Sequence, residues 1–233
     1  MKTFRFRIPL LCVLLCAFPL FGAVAQTITT ADNFFSGVSD IYSALQDYSA
    51  TITITTGRGK NLEKMTGRVA FKKPTLLRID FTNPNEQTIV FDGKELTIYL
   101  PTYNVVLTQF VESDSGAGGA SLATPQGLAL MKRYYSISYE TGAEPVPLEE
   151  DSDTMVVALL LARRTTTEMF RGIRLLVNPE TSLIRRIVAT TITGEVLVFD
   201  FTGYALNQGV LDNHFVYDSP ASSNKFNNFL FTE

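Results

Sequence analysis

The sequence predicts a single, mostly β domain that carries a few short helices. Between residues 48 and 202, many short segments alternate apolar and polar residues, as half-buried strands do. Turn sequences such as Asn83-Pro84-Asn85 and Asp92-Gly93 separate these segments, and only two stretches have helical periodicity. Many short antiparallel strands predict a sandwich or a barrel, and a large sheet of this kind curls and can enclose a space.

Residues 30–46 are predicted to form the first helix. Its apolar stripe comprises Phe34, Val38, Ile41, Tyr42 and Leu45. The period then changes to two, and a meander of strands is predicted. Its segments are 50–55, 64–72, 76–81, 87–91, 95–100 and 105–110.

Residues 112–121 are rich in Ser, Gly and Asp and are predicted to be a loop. A second short helix is expected over 124–134, with Leu128 and Met131 on one side. Strands are then predicted over 136–140, 154–163, 170–178, 183–193 and 195–202. In the less regular tail, residues 215–217 (FVY) have the highest strand propensity.

The first 25 residues have the features of a secretory signal peptide. Basic residues precede an apolar run from 8 to 22, and Ala23-Val24-Ala25 has the small-x-small form of a cleavage site. We therefore expect residues 26–233 to form one exported domain, located in the periplasm. Leu15 precedes Cys16 where a lipid-anchored protein normally has a small residue, so lipidation is not expected.

Composition and motifs give little support to an enzyme. Both cysteines lie within the predicted signal peptide, and His214 is the only histidine. No nucleophile elbow, phosphate-binding loop or EF-hand spacing is present. We expect no catalytic residue, no metal and no cofactor. The net charge of −3 gives no sign of a nucleic-acid partner.

Apolar residues of the meander are predicted to line one face of the sheet, with the second helix over them. Periodicity alone leaves open whether that face is a solid core or a cavity wall. The set that would line a cavity consists of Ile52, Ile54, Phe71, Leu77, Ile79, Phe81, Phe91, Ile98 and Leu107 from strands, with Leu128 and Met131 from the helix.

One block resembles the LolA family of periplasmic lipoprotein carriers. Residues 71–80 read FKKPTLLRID, residues 84–87 read PNEQ, and residues 92–99 read DGKELTIY. The family shows a basic residue before Pro, an Arg-containing strand, a Pro-x-Glu turn and an Asp-Gly-Lys hairpin. The start of the second helix (TPQGL, 124–128) and residues 211–217 (LDNHFVY) are also similar to family segments.

The resemblance implies a strongly curved, incomplete antiparallel β-barrel with a hydrophobic cavity under a short helical lid. It implies that Lys73, before Pro74, latches the lid through hydrogen bonds to lid backbone. The family hairpin commonly carries a Trp, whereas this chain has none. The implied function is a chaperone that binds acyl chains of lipoproteins and shuttles them between membranes.

The implied partners are acylated lipoproteins, an inner-membrane lipoprotein-releasing transporter and an outer-membrane acceptor, and we expect a monomer. Other functions remain open from the sequence. The chain could carry another lipid, serve as a lipid-binding periplasmic sensor or regulator of the same fold, or be itself the acceptor. A secreted hydrolase is disfavoured because the sequence has one histidine and no G-x-S-x-G motif to present a nucleophile, although a Ser–His–Asp triad is formally possible.

Overall fold

The structure, a computed structural model, describes residues 29–111 and 122–229. Within them, one 13-stranded sheet curls around two α-helices. The prediction of a mostly β fold with an incomplete barrel is confirmed. The predicted signal peptide and the 112–121 loop lie outside the described residues. No helix within these ranges has the length and apolarity needed to cross a membrane.

The predicted meander forms one half of the sheet. Its strands are β1 (Asp47–Arg58), β2 (Asn61–Lys72), β3 (Leu76–Asn83), β4 (Asn85–Phe91), β5 (Glu95–Leu100) and β6 (Val105–Phe110). The other half consists of β7 (Tyr135–Tyr139), β8 (Val146–Pro147), β9 (Met155–Arg163), β10 (Phe170–Val177), β11 (Ile184–Thr191) and β12 (Val196–Leu206). The last strand, β13 (Asn224–Asn227), returns to the meander and pairs with β6 at its outer edge.

The two halves join where β1 pairs with β12. The strand order is β13-β6-β5-β4-β3-β2-β1-β12-β11-β10-β9-β7, and β8 pairs only with β9. Because β13 and β7 are the two ends of this order and do not pair with each other, the barrel is open. All pairs are antiparallel except that of β13 with β6.

Two glycines are required by the local backbone geometry. Gly67 lies at a register shift between β2 and β3, and a Cβ atom there would come within 2.3 Å of the Asp80 carbonyl oxygen. Only glycine permits this approach. At the Asp92-Gly93 hairpin, Gly93 has a φ of 95° and the Asp92 carboxylate accepts hydrogen bonds from the Lys94 and Glu95 amides.

Helix α1 (Ala31–Ala44) begins at the N-cap Thr30, whose hydroxyl accepts a hydrogen bond from the Asn33 amide. Its buried face contains Phe35, Val38 and Tyr42. The predicted stripe was therefore partly wrong: Phe34 is half-buried and Ile41 is 41% exposed. Helix α2 (Pro125–Tyr134) is capped in the same way by Thr124 and buries Leu128 and Met131.

The tail differs from the prediction. Residues 215–217 are not a strand: Asp212–Phe215 forms a short 3-10 helix, and the last strand is β13. Residues 207–217 instead cross the convex side of β1–β3. Lys72 donates to the Val210 carbonyl, and Arg78 donates to the His214 carbonyl. The buried Asp47 carboxylate accepts hydrogen bonds from the amides of residues 208, 209 and 210.

Candidate functional site

The concave face of the sheet is a continuous apolar surface. The strand register places Val69, Ile79, Ile89, Ile98 and Leu107 opposite one another in a row across β2 to β6. Residues two positions apart on a strand lie on the same face, so a second row, displaced by two residues from the first, also lies on the concave face. It consists of Phe71, Leu77, Phe91 and Leu96 and ends at Gln109.

The nine strand residues predicted to line a cavity all lie on this face, but their burial differs. On β1 to β3, Ile52, Ile54, Phe71, Leu77, Ile79 and Phe81 are buried. On β4 to β6, Phe91, Ile98 and Leu107 are only half-buried. The apolar surface is therefore covered on one side and accessible on the other, where a ligand could enter.

The two helices cover the buried side. Phe35, Val38 and Tyr42 of α1 belong to the same buried cluster as Leu128 and Met131 of α2. The helices also contact each other, because the Lys132 ammonium donates to the Ser36 hydroxyl at 2.8 Å. The predicted helical residues thus face the predicted strand residues across one apolar interior.

A closed ring of hydrogen bonds fixes α1 to the sheet. The Ile184 amide donates to the Tyr42 hydroxyl at 3.1 Å, and the Tyr204 hydroxyl donates to the Ile184 carbonyl at 2.9 Å. The two hydroxyls are 3.0 Å apart, so the Tyr42 proton is directed to Tyr204. Burial raises the pKa of Tyr42 to about 12 and raises that of Tyr204 well above its usual range.

Two polar contacts hold the start of helix α2. The hydroxyl of Tyr48, a fully buried residue of β1, donates to the Ala123 carbonyl at 2.8 Å, just before the helix begins. The Gln126 side chain donates to the Pro74 carbonyl. Burial raises the pKa of Tyr48 well above its usual range, so this donor is protonated at neutral pH.

The predicted latch residues lie between the two helices. The Lys73 ammonium donates to the Ser43 carbonyl in the last turn of α1, while the carbonyl of Pro74 binds α2 through Gln126. A cation at a helix C-terminus also interacts favourably with the helix dipole. The structure therefore places the Lys73 side chain on α1, whereas the Lys73–Pro74 segment contacts both helices.

Sequence reasoning missed about half of the interior. Residues of β9 to β12 complete the concave face, and they include Leu159, Leu161, Ile173, Leu175, Ile187, Phe199 and Phe201. The signal was usable, because β9 is almost entirely apolar and apolar residues recur through β10 to β12. The hydrogen-bonded ring of Tyr42, Tyr204 and Ile184 carried no such signal, because its members are 20 to 162 positions apart in the sequence.

Two features bear on other chemistry in the described ranges. No group of three or more His, Cys, Asp or Glu side chains there could hold a metal ion. His214 packs edge-on against Phe215 in the convex-side tail, and it borders a cavity of about 240 Å³ that also contacts Arg68 and Asp80. This cavity lies on the face opposite the apolar surface.

A family model described as outer membrane lipoprotein carrier protein LolA matches residues 51–218. An outer-membrane lipoprotein carrier protein of Haemophilus influenzae is 38% identical over 61 residues, which are 26% of this chain and 30% of the relative. One of Histophilus somni is 29% identical over 118 residues, 51% of this chain and 50% of the relative. The matches thus span half or less of these relatives' length.

The fold also has a counterpart among solved structures. An uncharacterized conserved protein from Thermus thermophilus superimposes with a TM-score of 0.52 at 14% sequence identity. The match covers 82% of this chain and 98% of that protein. At this identity the likeness concerns the fold alone.

Proposed function

This chain belongs to the LolA family of outer membrane lipoprotein carrier proteins, and from this premise we propose that its concave face binds the acyl chains of lipoproteins. The observation that carries the proposal is the continuous apolar face, which two helices cover over β1–β3 and which stays half-exposed over β4–β6. A carrier needs no catalytic residue. It takes lipoproteins from an inner-membrane transporter and delivers them across the periplasm to an outer-membrane acceptor.

The energetics favour a preformed apolar surface. Exposing one 16-carbon acyl chain to water costs about 12 kcal/mol, at about 0.8 kcal/mol per CH₂. A carrier must recover much of this free energy and still release its cargo. Helices that can move away from an apolar surface meet both requirements.

Two neighbouring residues of β5 provide the test. Ile98 lies on the concave face and Thr97 on the convex face, and both are half-buried. We expect Ile98→Glu to weaken binding of a fluorescent palmitoylated peptide by at least about tenfold, because a carboxylate would lie against the acyl chain. Thr97→Glu is the matched control, and thermal unfolding verifies that both variants fold.

Equal binding by the two variants would refute the assignment of the concave face. Mass spectrometry of molecules that co-purify from the periplasm then identifies the cargo. Acylated peptides or intact lipoproteins support the carrier proposal. Free phospholipid or glycolipid as the sole bound species would keep the site and contradict the lipoprotein as cargo.

A further inference from the structure

One end of the sheet carries exposed apolar side chains on adjacent turns. We define the tip end as residues 58–64, 163–171 and 192–195, which contain the β1–β2, β9–β10 and β11–β12 turns. Leu62 is 58% exposed, Met169 55% and Ile192 62%. Each is a large apolar side chain at or beside a turn, where polar residues are usual.

These turns are neighbours in space. Gly57 of β1 is opposite Leu62 on one side and Val196 of β12 on the other. Thr191 of β11 is opposite Phe170 of β10, which follows Met169. Because adjacent strands are about 4.8 Å apart, the five strands from β2 to β10 place the three apolar side chains within about 20 Å.

The tip end is positively charged although the chain is acidic. It contains six basic residues and three acidic ones, against a net charge of −3 for the whole chain. The basic residues are Arg58, Lys60, Lys64, Arg163, Arg164 and Arg171. In the described ranges, Arg58, Lys60 and Lys64 form no ion pair. The charge of this end complements an anionic surface.

We propose that the tip end docks on anionic phospholipid bilayers, with Leu62, Met169 and Ile192 entering the interface and the surrounding cations facing lipid phosphates. Apolar side chains on separate protruding turns suit a soft surface that they can penetrate. A rigid protein partner would instead need a groove for each turn. The inference goes beyond the proposed function, since it holds whatever cargo the concave face binds.

Vesicle co-sedimentation tests the charge and the apolar contacts. The probe is vesicles of about one-third phosphatidylglycerol in phosphatidylcholine at low salt, because one surface cation changes binding to such membranes by about fivefold. We expect Lys60→Glu and Leu62→Ser each to weaken binding by at least about fivefold. Matched controls are Lys94→Glu at the opposite end and Leu211→Ser on the convex side, where Leu211 is 68% exposed.

Fluorescence identifies the surface that contacts the bilayer. The chain has no Trp, so Leu62→Trp introduces a single indole that keeps the site apolar. Its emission should shift to the blue on anionic vesicles and be quenched by brominated lipids, whereas the emission of Leu211→Trp should not change. All variants have the same amino-terminal sequence, so any difference in vesicle binding or fluorescence between them is due to the substituted position.

Three results would overturn the inference. They are absence of binding by the wild-type protein at low salt, equal binding to neutral and anionic vesicles, and equal responses of the Leu62 and Leu211 variants. If the tip end captures a protein partner but the wild-type protein does not bind vesicles, the first of these results is obtained and the inference fails. Ile98→Glu should still bind vesicles, so failure of docking and failure of cargo binding are distinguishable.

Discussion

Replacing Tyr48 by Phe removes one hydrogen bond and little else. The Tyr48 hydroxyl donates to the Ala123 carbonyl, which precedes α2 and is buried with it. The ring that remains keeps its contacts with Phe71, Tyr42 and Tyr204 at centroid distances of 5.5, 5.9 and 5.6 Å. The variant therefore tests whether this hydroxyl holds α2 against the sheet.

The expected magnitude follows from the unpaired carbonyl. A buried carbonyl that loses its donor costs about 1–3 kcal/mol, and this cost disappears when the helix opens and water reaches the group. The free energy of opening α2 should fall by the same amount. The open population then rises by about 5- to 140-fold, at about 1.4 kcal/mol per factor of ten.

Hydrogen exchange measures this opening residue by residue. In Tyr48→Phe, amides of α2 such as those of Leu128 and Met131 should exchange about 5- to 140-fold faster. Uptake of the palmitoylated peptide should also accelerate if α2 covers the binding surface. The exchange rates of the β10 and β11 amides should rise only by the factor that corresponds to the loss in global stability.

Tyr204→Phe is the control, because it removes a hydroxyl of the same buried cluster that binds Ile184 rather than the α2 segment. Its effect should appear in α1, β11 and β12. The reasoning fails if Tyr48→Phe leaves α2 exchange unchanged, or if both variants open α2 equally.

Three further predictions concern the tail, α1 and alkaline pH. Asp47→Ala should lower the free energy of unfolding, measured in urea, by about 2 kcal/mol or more, because it removes an acceptor shared by three amides. Replacing the exposed Asp212 by Ala should cost under about 1 kcal/mol, and equal losses in the two variants would contradict this prediction. Lys73→Met should cost about 0.5–1 kcal/mol and increase hydrogen exchange in the last turn of α1; an effect confined to α2 would contradict the contact with Ser43. Because folding raises the pKa of Tyr42 from 10.0 to about 12, its contribution to stability is complete below pH 10 and is lost as the pH rises through 12. Melting curves against pH would detect this loss, and an equal loss over the same pH range in Tyr42→Phe would refute it.

Strand positions were predictable where one face of the sheet is buried. Alternation located residues 95–100 and 105–110 with the observed bounds of β5 and β6. It worked because the period-two pattern and the turn residues both depend on local geometry. The resemblance added the open barrel and the helices over it, which local patterns alone did not distinguish from a sandwich.

The failures share a non-local cause. In α1 the sequence offers Phe34 and Phe35, and only packing against the sheet determines that Phe35 is the buried one. Strand β13 has the polar sequence NKFN, and its residues are all exposed. It is a strand because its backbone pairs in parallel with the edge strand β6, which no property of its own side chains indicates.

The distribution of polar contacts suggests how cargo could reach the covered part of the concave face. Apolar packing holds both helices without specifying which one moves, because the hydrophobic effect has no preferred direction. Polar contacts differ: α1 is fixed to β11 and β12 by the hydrogen bonds of Tyr42, whereas α2 is held at its start by Tyr48 and Gln126. In its last turn, α2 contacts α1 through Lys132, and it then continues directly into β7. We therefore expect α2 to pivot about its junction with β7 and to uncover first the end nearest Pro74. That motion would join the buried surface of β1–β3 to the half-exposed surface of β4–β6, so that an acyl chain could enter over β4–β6 and be covered as α2 returns.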